Sequence, residues 1–278
     1  MWTVVKHPAC RVDIRKWGIM TDRLKNKSCI VTGGARGLGR AIAQAFINAG
    51  ASVLITDIDA AAGAKTAREI GATFAVQDVT DENRWPEIVG LCQSEFGGLD
   101  VLVNNAGLAQ TGEGLSPEDS QLGSWRTMFK VNVEGVFMGC KVALPAMRKQ
   151  GGGSIINMAS VASLVPTPFF TAYGASKAAV THLSTSVALH GAADNIRCNS
   201  VHPGQIQTDM HNDIVKDAAT KAGAPLADVE ADFASRIPMG SFQQAVDVAN
   251  TVLFLASDDS AHITGTQMVV DGGMQLTN

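Results

Sequence analysis

Apolar and polar positions divide most of the chain into short, continuously apolar runs and longer segments with a single apolar face. Ser28–Thr32 is the first apolar run and predicts a strand. Leu38, Ile42, Ala45, Phe46 and Ala49 then recur at the i, i+4, i+7, i+8 spacing of a helix that buries one side, and Gly50 supplies its C-terminal stop. Residues 52–56 predict a second strand ending at Asp57, Ala60–Ile70 a helix, Thr73–Val76 a third strand, 85–96 a helix and 99–103 a fourth strand. The second half repeats the theme. A long helix is predicted over 125–149, then a strand over 154–158, a helix over 173–190, a strand over 197–202, a helix over 245–255 and a last strand over Gln267–Val270. Residues 208–238 are polar, Ala-rich and weakly periodic, and read as an inserted helical segment.

Strands that alternate with helices indicate βαβ units and a parallel sheet covered on both faces, which is why its strands are apolar throughout rather than at every second position. No linker or low-complexity tract interrupts the pattern. The expectation is one α/β domain over residues 20–278, built on a doubly wound parallel sheet of six or seven strands. Residues 1–19 stand apart. They carry Lys6, Arg11, Arg15 and Lys16 against Asp13, with no serine and no apolar signal core, so they read as a leader outside the fold, an unstructured tail or an upstream extension of a start at Met20.

Hydrophobic residues make up 46% and charged residues 17%, enough to fill a sizeable core and against disorder. A net charge of −4 gives no general attraction to nucleic acid or anionic membrane. No apolar run reaches the roughly 18 residues of a membrane span. The five cysteines (Cys10, Cys29, Cys92, Cys140, Cys198) are scattered and form no CxxC pair, which points to free thiols in a reducing cytoplasm. The six histidines show no HExxH pattern, so no metal site is expected.

Between the first strand and first helix lies Thr32-Gly-Gly-Ala-Arg-Gly-Leu-Gly39, with Gly33, Gly37 and Gly39 in a GxxxGxG spacing. Glycines there let the backbone turn tightly and approach a pyrophosphate, and a helix N-terminus offers free N–H groups and a positive dipole end. Asp57 ends the second strand, where a carboxylate accepts hydrogen bonds from both adenosine ribose hydroxyls and repels a 2′-phosphate. Arg36 pulls the other way, because a guanidinium can pair with that phosphate. The acid acts on the discriminating group itself, so the expected cofactor is NAD rather than NADP. Asp78 and Val79 follow the third strand and can cover the adenine edge, although Asp78 also suits an ordinary turn. Asn104-Asn105-Ala106-Gly107 follows the fourth strand, where small residues pass close to a flat ligand and asparagines pin the turn.

Tyr173 is the chain's one tyrosine and stands four residues before Lys177, so both lie on one helical face. An ammonium about 4 Å away at an effective dielectric of ~20 stabilises a phenolate by about 4 kcal/mol, about three pKa units, which would bring the tyrosine towards working pH. Ser160 follows the 154–158 strand and can hydrogen-bond a reacting oxygen. Asn132 sits mid-helix among Val131, Val133 and Phe137, either facing the surface or holding a water that links Lys177 to solvent.

Together, TGGARGLG, NNAG, Asn132, Ser160, Tyr173-Gly-Ala-Ser-Lys177 and Pro203-Gly204 with Thr208 resemble the short-chain dehydrogenase/reductase family over residues 24–278. The nearest flavour is that of NAD-dependent bacterial hydroxysteroid and secondary-alcohol dehydrogenases. The resemblance implies a Rossmann-type fold, NAD as cofactor, a small-molecule alcohol or ketone substrate and a homotetramer. It assigns Tyr173 the proton transfer, Ser160 the substrate oxygen, Lys177 the tyrosine and nicotinamide ribose, and Asn132 the proton relay. It puts Arg36, Leu38, Asp57, Asp78, Val79, Asn105, Ala106, Gly107, Pro203, Gly204, Ile206 and Thr208 beside the cofactor. The inserted helical segment, residues 208–238, is expected to be a lid that orders when substrate binds. Ala159 departs from the family, which commonly has serine there. The loop from Pro166 to Phe169 and Phe170, with Met210, is expected to give a partly apolar substrate pocket. An NADPH-dependent carbonyl or 3-ketoacyl reductase is an alternative. So is a non-catalytic NAD(H)-binding sensor, which needs none of Asn132, Ser160, Tyr173 and Lys177.

Overall fold

A computed structural model describes residues 22–109 and 116–277, with the backbone alone at 209 and 210. The expectations for residues 1–19 and Cys10 lie outside these residues. The apolar runs form β1 (Ser28–Thr32), β2 (Ser52–Asp57), β3 (Thr73–Val76), β4 (Val101–Asn104), β5 (Gly153–Met158), β6 (Ile196–Pro203) and β7 (Gln267–Val270). They make one sheet in the order β3-β2-β1-β4-β5-β6-β7, and every neighbouring pair is parallel. The doubly wound α/β sheet expected from the sequence is thus present, with seven strands.

Parallel neighbours require crossovers, and these are helical. They are α1 (Gly37–Asn48), α2 (Ala60–Ile70), α3 (Arg84–Phe96), α4 (Leu122–Phe129), α5 (Gly135–Gln150), α6 (Thr171–Gly191), α7 (Asp209–Ala222), α8 (Leu226–Ser235) and α9 (Ala245–Ala256). Successive strand residues point to opposite faces, and both faces are buried. Ile30, Leu54, Leu102 and Ile155 meet Trp85, Ile88, Met147 and Val180 from α3, α5 and α6. Val31, Ile55, Val103 and Ile156 meet Ile42, Phe46, Val248, Val252 and Leu255 from α1 and α9. Each fully buried side chain of this kind contributes about 1.5–3 kcal/mol. Because β1 lies between β2 and β4, the chain leaves it in opposite directions, and a crevice opens at the carboxyl ends of these strands.

Two elements depart from expectation. Residue 99 does not begin β4. The Leu99 N–H donates to Gln150 Oε1 at 2.9 Å and its carbonyl accepts from Gln150 Nε2 at 2.7 Å, a clamp to the end of α5 in place of a sheet partner. The single helix expected over 125–149 is interrupted by a π-helical turn, Lys130–Glu134, between α4 and α5. That wider turn carries Asn132 inward, and its side chain holds the backbone of Leu108 in place of helical geometry. Residues 208–238 contain α7 and α8, separated at Gly223 (φ 60°), where the left-handed backbone ends α7 ahead of Pro225.

Candidate active site

The carboxyl ends of the strands frame a cleft of about 630 Å³. At the β2–β3 side it is lined by Asp57, Gln77, Asp78 and Val79. The Gly33–Gly39 turn and Asn105–Gly107 form its floor, and Ser160, Tyr173, Lys177, Pro203, Gly204, Ile206 and Thr208 close the β5–β6 side. All the candidate catalytic and cofactor-binding residues therefore line one cleft except Asn132, which stands behind it.

The floor is braced by Thr32 and Asn105. Thr32 Oγ1 accepts from the N–H groups of Asn105 and Ala106, each at 3.0 Å, and Asn105 Nδ2 donates to the carbonyls of Thr32 (2.9 Å) and Gly33 (3.1 Å). Gly39 is set so close beneath the turn that a Cβ there would lie 2.1 Å from the Gly33 oxygen. Gly39→Ala is therefore expected to cost about 1–3 kcal/mol, read as a lower thermal midpoint; an unchanged midpoint would contradict this packing. Gly37 differs: it has φ 53°, and the nearest atom to an added Cβ is Thr208 Cγ2 at 3.9 Å, so it faces open cleft. Arg36 caps α1 without a side-chain hydrogen bond, and no acid stands in the first turn. The N–H groups there remain available to an anion. At the β2–β3 side, both polar side-chain atoms of Gln77 are buried without a partner among the described residues. A glycine cradle at a helix N-terminus, a strand-end carboxylate and an orphaned amide fit a dinucleotide laid across the sheet.

Asp57 is already engaged by the backbone: Oδ2 accepts from Ala35 N at 3.1 Å and Oδ1 from Asp59 N at 3.1 Å. Arg36 pairs with Asp59, a residue the sequence reading did not weigh. Asp59 also caps α2 through Ala62 N, and this hydrogen bond, followed by the guanidinium, holds its carboxyl below the usual range. Asp78 Oδ1 accepts from Thr80 N at 2.8 Å, the turn role named as the ordinary one, while still bordering the cleft. Val79 is fixed by its carbonyl, which accepts from the buried Trp85 indole at 2.9 Å.

Tyr173 stands in the first turn of α6 and Lys177 one turn further on. Lys177 Nζ lies 5.8 Å from the Tyr173 ring centroid and donates to the Met158 carbonyl at 2.7 Å. The ammonium does not bring the tyrosine pKa down as the spacing predicts. Burial pushes the phenol above its ordinary value, and only a hydrogen bond with Ser160 pulls it back. Burial likewise brings the Lys177 ammonium down to about 8. Ser160 Oγ accepts from Ala162 N at 3.2 Å, and the Ser160 carbonyl is held by Ser163 Oγ (2.5 Å) and His202 Nδ1 (3.1 Å). His202 is buried, and burial lowers its pKa. It stands on β6 immediately before Pro203-Gly204. Asn132 is fully buried, so the surface-facing alternative falls. Its Oδ1 accepts from Leu108 N at 2.8 Å, and its Nδ2 donates to Leu108 O (3.0 Å) and Ser176 Oγ (3.2 Å). Ser176 Oγ in turn donates to the Tyr173 carbonyl at 2.7 Å.

Of the expected apolar pocket, Phe170 lines the cleft but Pro166 and Phe169 do not, and Phe169 is 67% exposed. The Met210 side chain lies outside the described residues. Leu108, Val161, Ile214 and Phe233 supply the apolar walls instead, with Gln205 and His211 among them. The weak periodicity of residues 208–238 concealed His211, Ile214 and Phe233. Among the described residues the free cysteines Cys29, Cys92, Cys140 and Cys198 are all buried, and none lines the cleft. No helix among the described residues is long and apolar enough to cross a membrane.

Residues 33–275 match the family model described as enoyl-(acyl carrier protein) reductase. The chain is 40% identical over 261 residues to an NADP-dependent (R)-specific alcohol dehydrogenase of Lentilactobacillus kefiri, covering 91% of this chain and 98% of that protein. It is 37% identical over 270 residues to a trans-4-hydroxycyclohexanecarboxylate dehydrogenase of Sinomonas cyclohexanicum (93% and 96% covered). It is 38% identical over 259 residues to a 3-beta-hydroxysteroid dehydrogenase of Comamonas testosteroni (92% and 98% covered). With its seven-stranded parallel sheet and its ordered motifs, the chain belongs to the short-chain dehydrogenase/reductase family of nicotinamide-dependent oxidoreductases.

Proposed function

We propose that this protein is an NAD(H)-dependent dehydrogenase that interconverts a cyclic or otherwise hydrophobic secondary alcohol and its ketone. The observation that carries this reading is the convergence of Ser160, Tyr173 and Lys177 at one side of a cleft whose other side offers a glycine cradle and a strand-end carboxylate. Names of relatives agree in kind, since they act on secondary and cyclic alcohols. When bound, the nicotinamide supplies the hydride acceptor or donor. Ser160 Oγ hydrogen-bonds the substrate oxygen and aims it at Tyr173. In oxidation Tyr173 takes the hydroxyl proton as the carbon loses hydride; in reduction it returns that proton to the forming alkoxide. Lys177, fixed by the Met158 carbonyl, holds the nicotinamide ribose. Asn132 secures Leu108 and the first turn of α6 behind this group and supports the path by which Lys177 exchanges protons. Helices α7 and α8 close the substrate side as a lid. Exposed Phe137 on α5 and Leu189 on α6 support the homotetramer.

NAD is favoured over NADP because a carboxylate at the end of β2, in the cleft, repels a 2′-phosphate, while Asp59 neutralises Arg36. kcat/KM with NAD is expected to exceed that with NADP by at least about tenfold, and Asp57→Ser is expected to narrow the gap. Steady-state rates with both cofactors check this, and an NADP preference in the wild type would contradict it. The second reading, an NADPH-dependent carbonyl or ketoacyl reductase, has one observation in its favour: the relative from Lentilactobacillus kefiri is NADP-dependent.

A further inference from the structure

The substrate side of the cleft holds polar atoms that the proton and hydride transfers leave unused. His211 lies in the first turn of α7, is 8% exposed and lines the cleft. Its ring packs against Phe242 at 4.6 Å and Phe233 at 6.4 Å between centroids. Its Nε2 is buried without a hydrogen-bond partner among the described residues. Burial lowers its pKa, against a weaker pull from Glu230, and so favours the neutral ring. Gln205, on the loop after β6, lines the same cleft, and its Oε1 is buried without a hydrogen-bond partner among the described residues. The walls around them, Val161, Phe170, Ile214 and Phe233, are apolar.

A buried polar atom without a partner costs about 1–3 kcal/mol, so two of them in a binding cleft favour a ligand that supplies what is missing. Gln205 Oε1 only accepts, and a neutral imidazole nitrogen accepts or donates according to tautomer. A carboxylate cannot satisfy the first. A hydroxyl satisfies either. We infer that the substrate is a diol: a secondary alcohol whose apolar frame carries a second hydroxyl, engaged by His211 Nε2 and Gln205 Oε1, with His211 as a specificity-determining residue. The inference rests on the alcohol dehydrogenase reading above and names its substrate class.

The test compares initial rates of the full-length protein, with NAD and with NADP, on cyclohexane-1,2-, 1,3- and 1,4-diol. Each diol is set against the corresponding methylcyclohexanol, whose methyl group replaces the second hydroxyl. At least one diol is expected to exceed its methyl counterpart in kcat/KM by about tenfold or more, chiefly through KM. His211→Phe is expected to bring that ratio within about threefold of unity, and His211→Gln, which keeps a donor and an acceptor, to retain part of it. Because both substrates meet the same protein, loss of folded protein cancels from the ratio. Wild-type ratios near one, or a ratio unchanged in His211→Phe, would overturn the inference. If the methylcyclohexanols turn over with no diol preference, the diol inference alone falls; if no alcohol turns over with either cofactor, the dehydrogenase reading falls with it.

Discussion

Tyr173→Phe is expected to lower alcohol turnover by at least about a thousandfold while leaving the fold and NADH binding in place. The substitution removes one oxygen and keeps the ring, so the packing at the start of α6 persists. What is lost is the hydroxyl beside Ser160, the group proposed to exchange a proton with the substrate oxygen. The raised phenol pKa sets the pH dependence of the wild type. A raised pKa means the phenol keeps its proton to higher pH, so it is poised as the acid for ketone reduction. Alcohol oxidation needs the deprotonated form, so kcat/KM for oxidation is expected to rise with pH above neutrality while that for reduction falls. Rates in both directions across pH check this, and a mutant with wild-type turnover would remove Tyr173 from the chemistry.

Lys177→Met is expected to stabilise the protein at pH 7 while lowering turnover by about a hundredfold or more. Burial depresses the ammonium to about 8 from 10.5. The unfolded chain then binds the proton more tightly, and wild-type stability rises with pH between those two values. At pH 7 the buried charge costs about 3 kcal/mol, and its hydrogen bond to the Met158 carbonyl returns about 1 kcal/mol. Methionine keeps the apolar stem without the charge, so the thermal midpoint should rise by about 4–8 °C at pH 7, and the gain should disappear as pH approaches 10.5. Melting curves of both proteins at several pH values measure this. A lower midpoint for the mutant at pH 7 would mean that the ammonium stabilises the fold and is not held at a cost for function.

The layered fold was legible because burial on both faces makes parallel strands continuously apolar, as at Cys29-Ile30-Val31 and Val101-Leu102-Val103. The Gly-rich turn and the Tyr173–Lys177 spacing were legible because backbone geometry and a helical turn fix them locally. Four features were not. The π turn at Lys130–Glu134 depends on the Leu108 backbone, 24 residues away, which the side chain of Asn132 holds. The pairing of Arg36 with Asp59 depends on how α2 begins relative to α1, a tertiary matter that made Arg36 look like a free phosphate ligand. The tyrosine pKa was argued from its charged neighbour alone, whereas burial, which sequence spacing does not report, is the larger influence. His211 and Phe233 were hidden for a related reason: helices that cover a cleft present apolar side chains to a ligand-sized space rather than to a continuous core, so their periodicity is weak.

The central claim is that Tyr173 exchanges a proton with a secondary alcohol while NAD takes the hydride. The most direct measurement is the absorbance of reduced nicotinamide formed by wild type and Tyr173→Phe, with NAD and a panel of cyclic and steroidal secondary alcohols, after NADH binding has been verified for both. NADH formation is expected on at least one alcohol with the wild type and none above background with the mutant. NADH binding by both proteins with equal turnover, or with no turnover of any alcohol by the wild type, would contradict it.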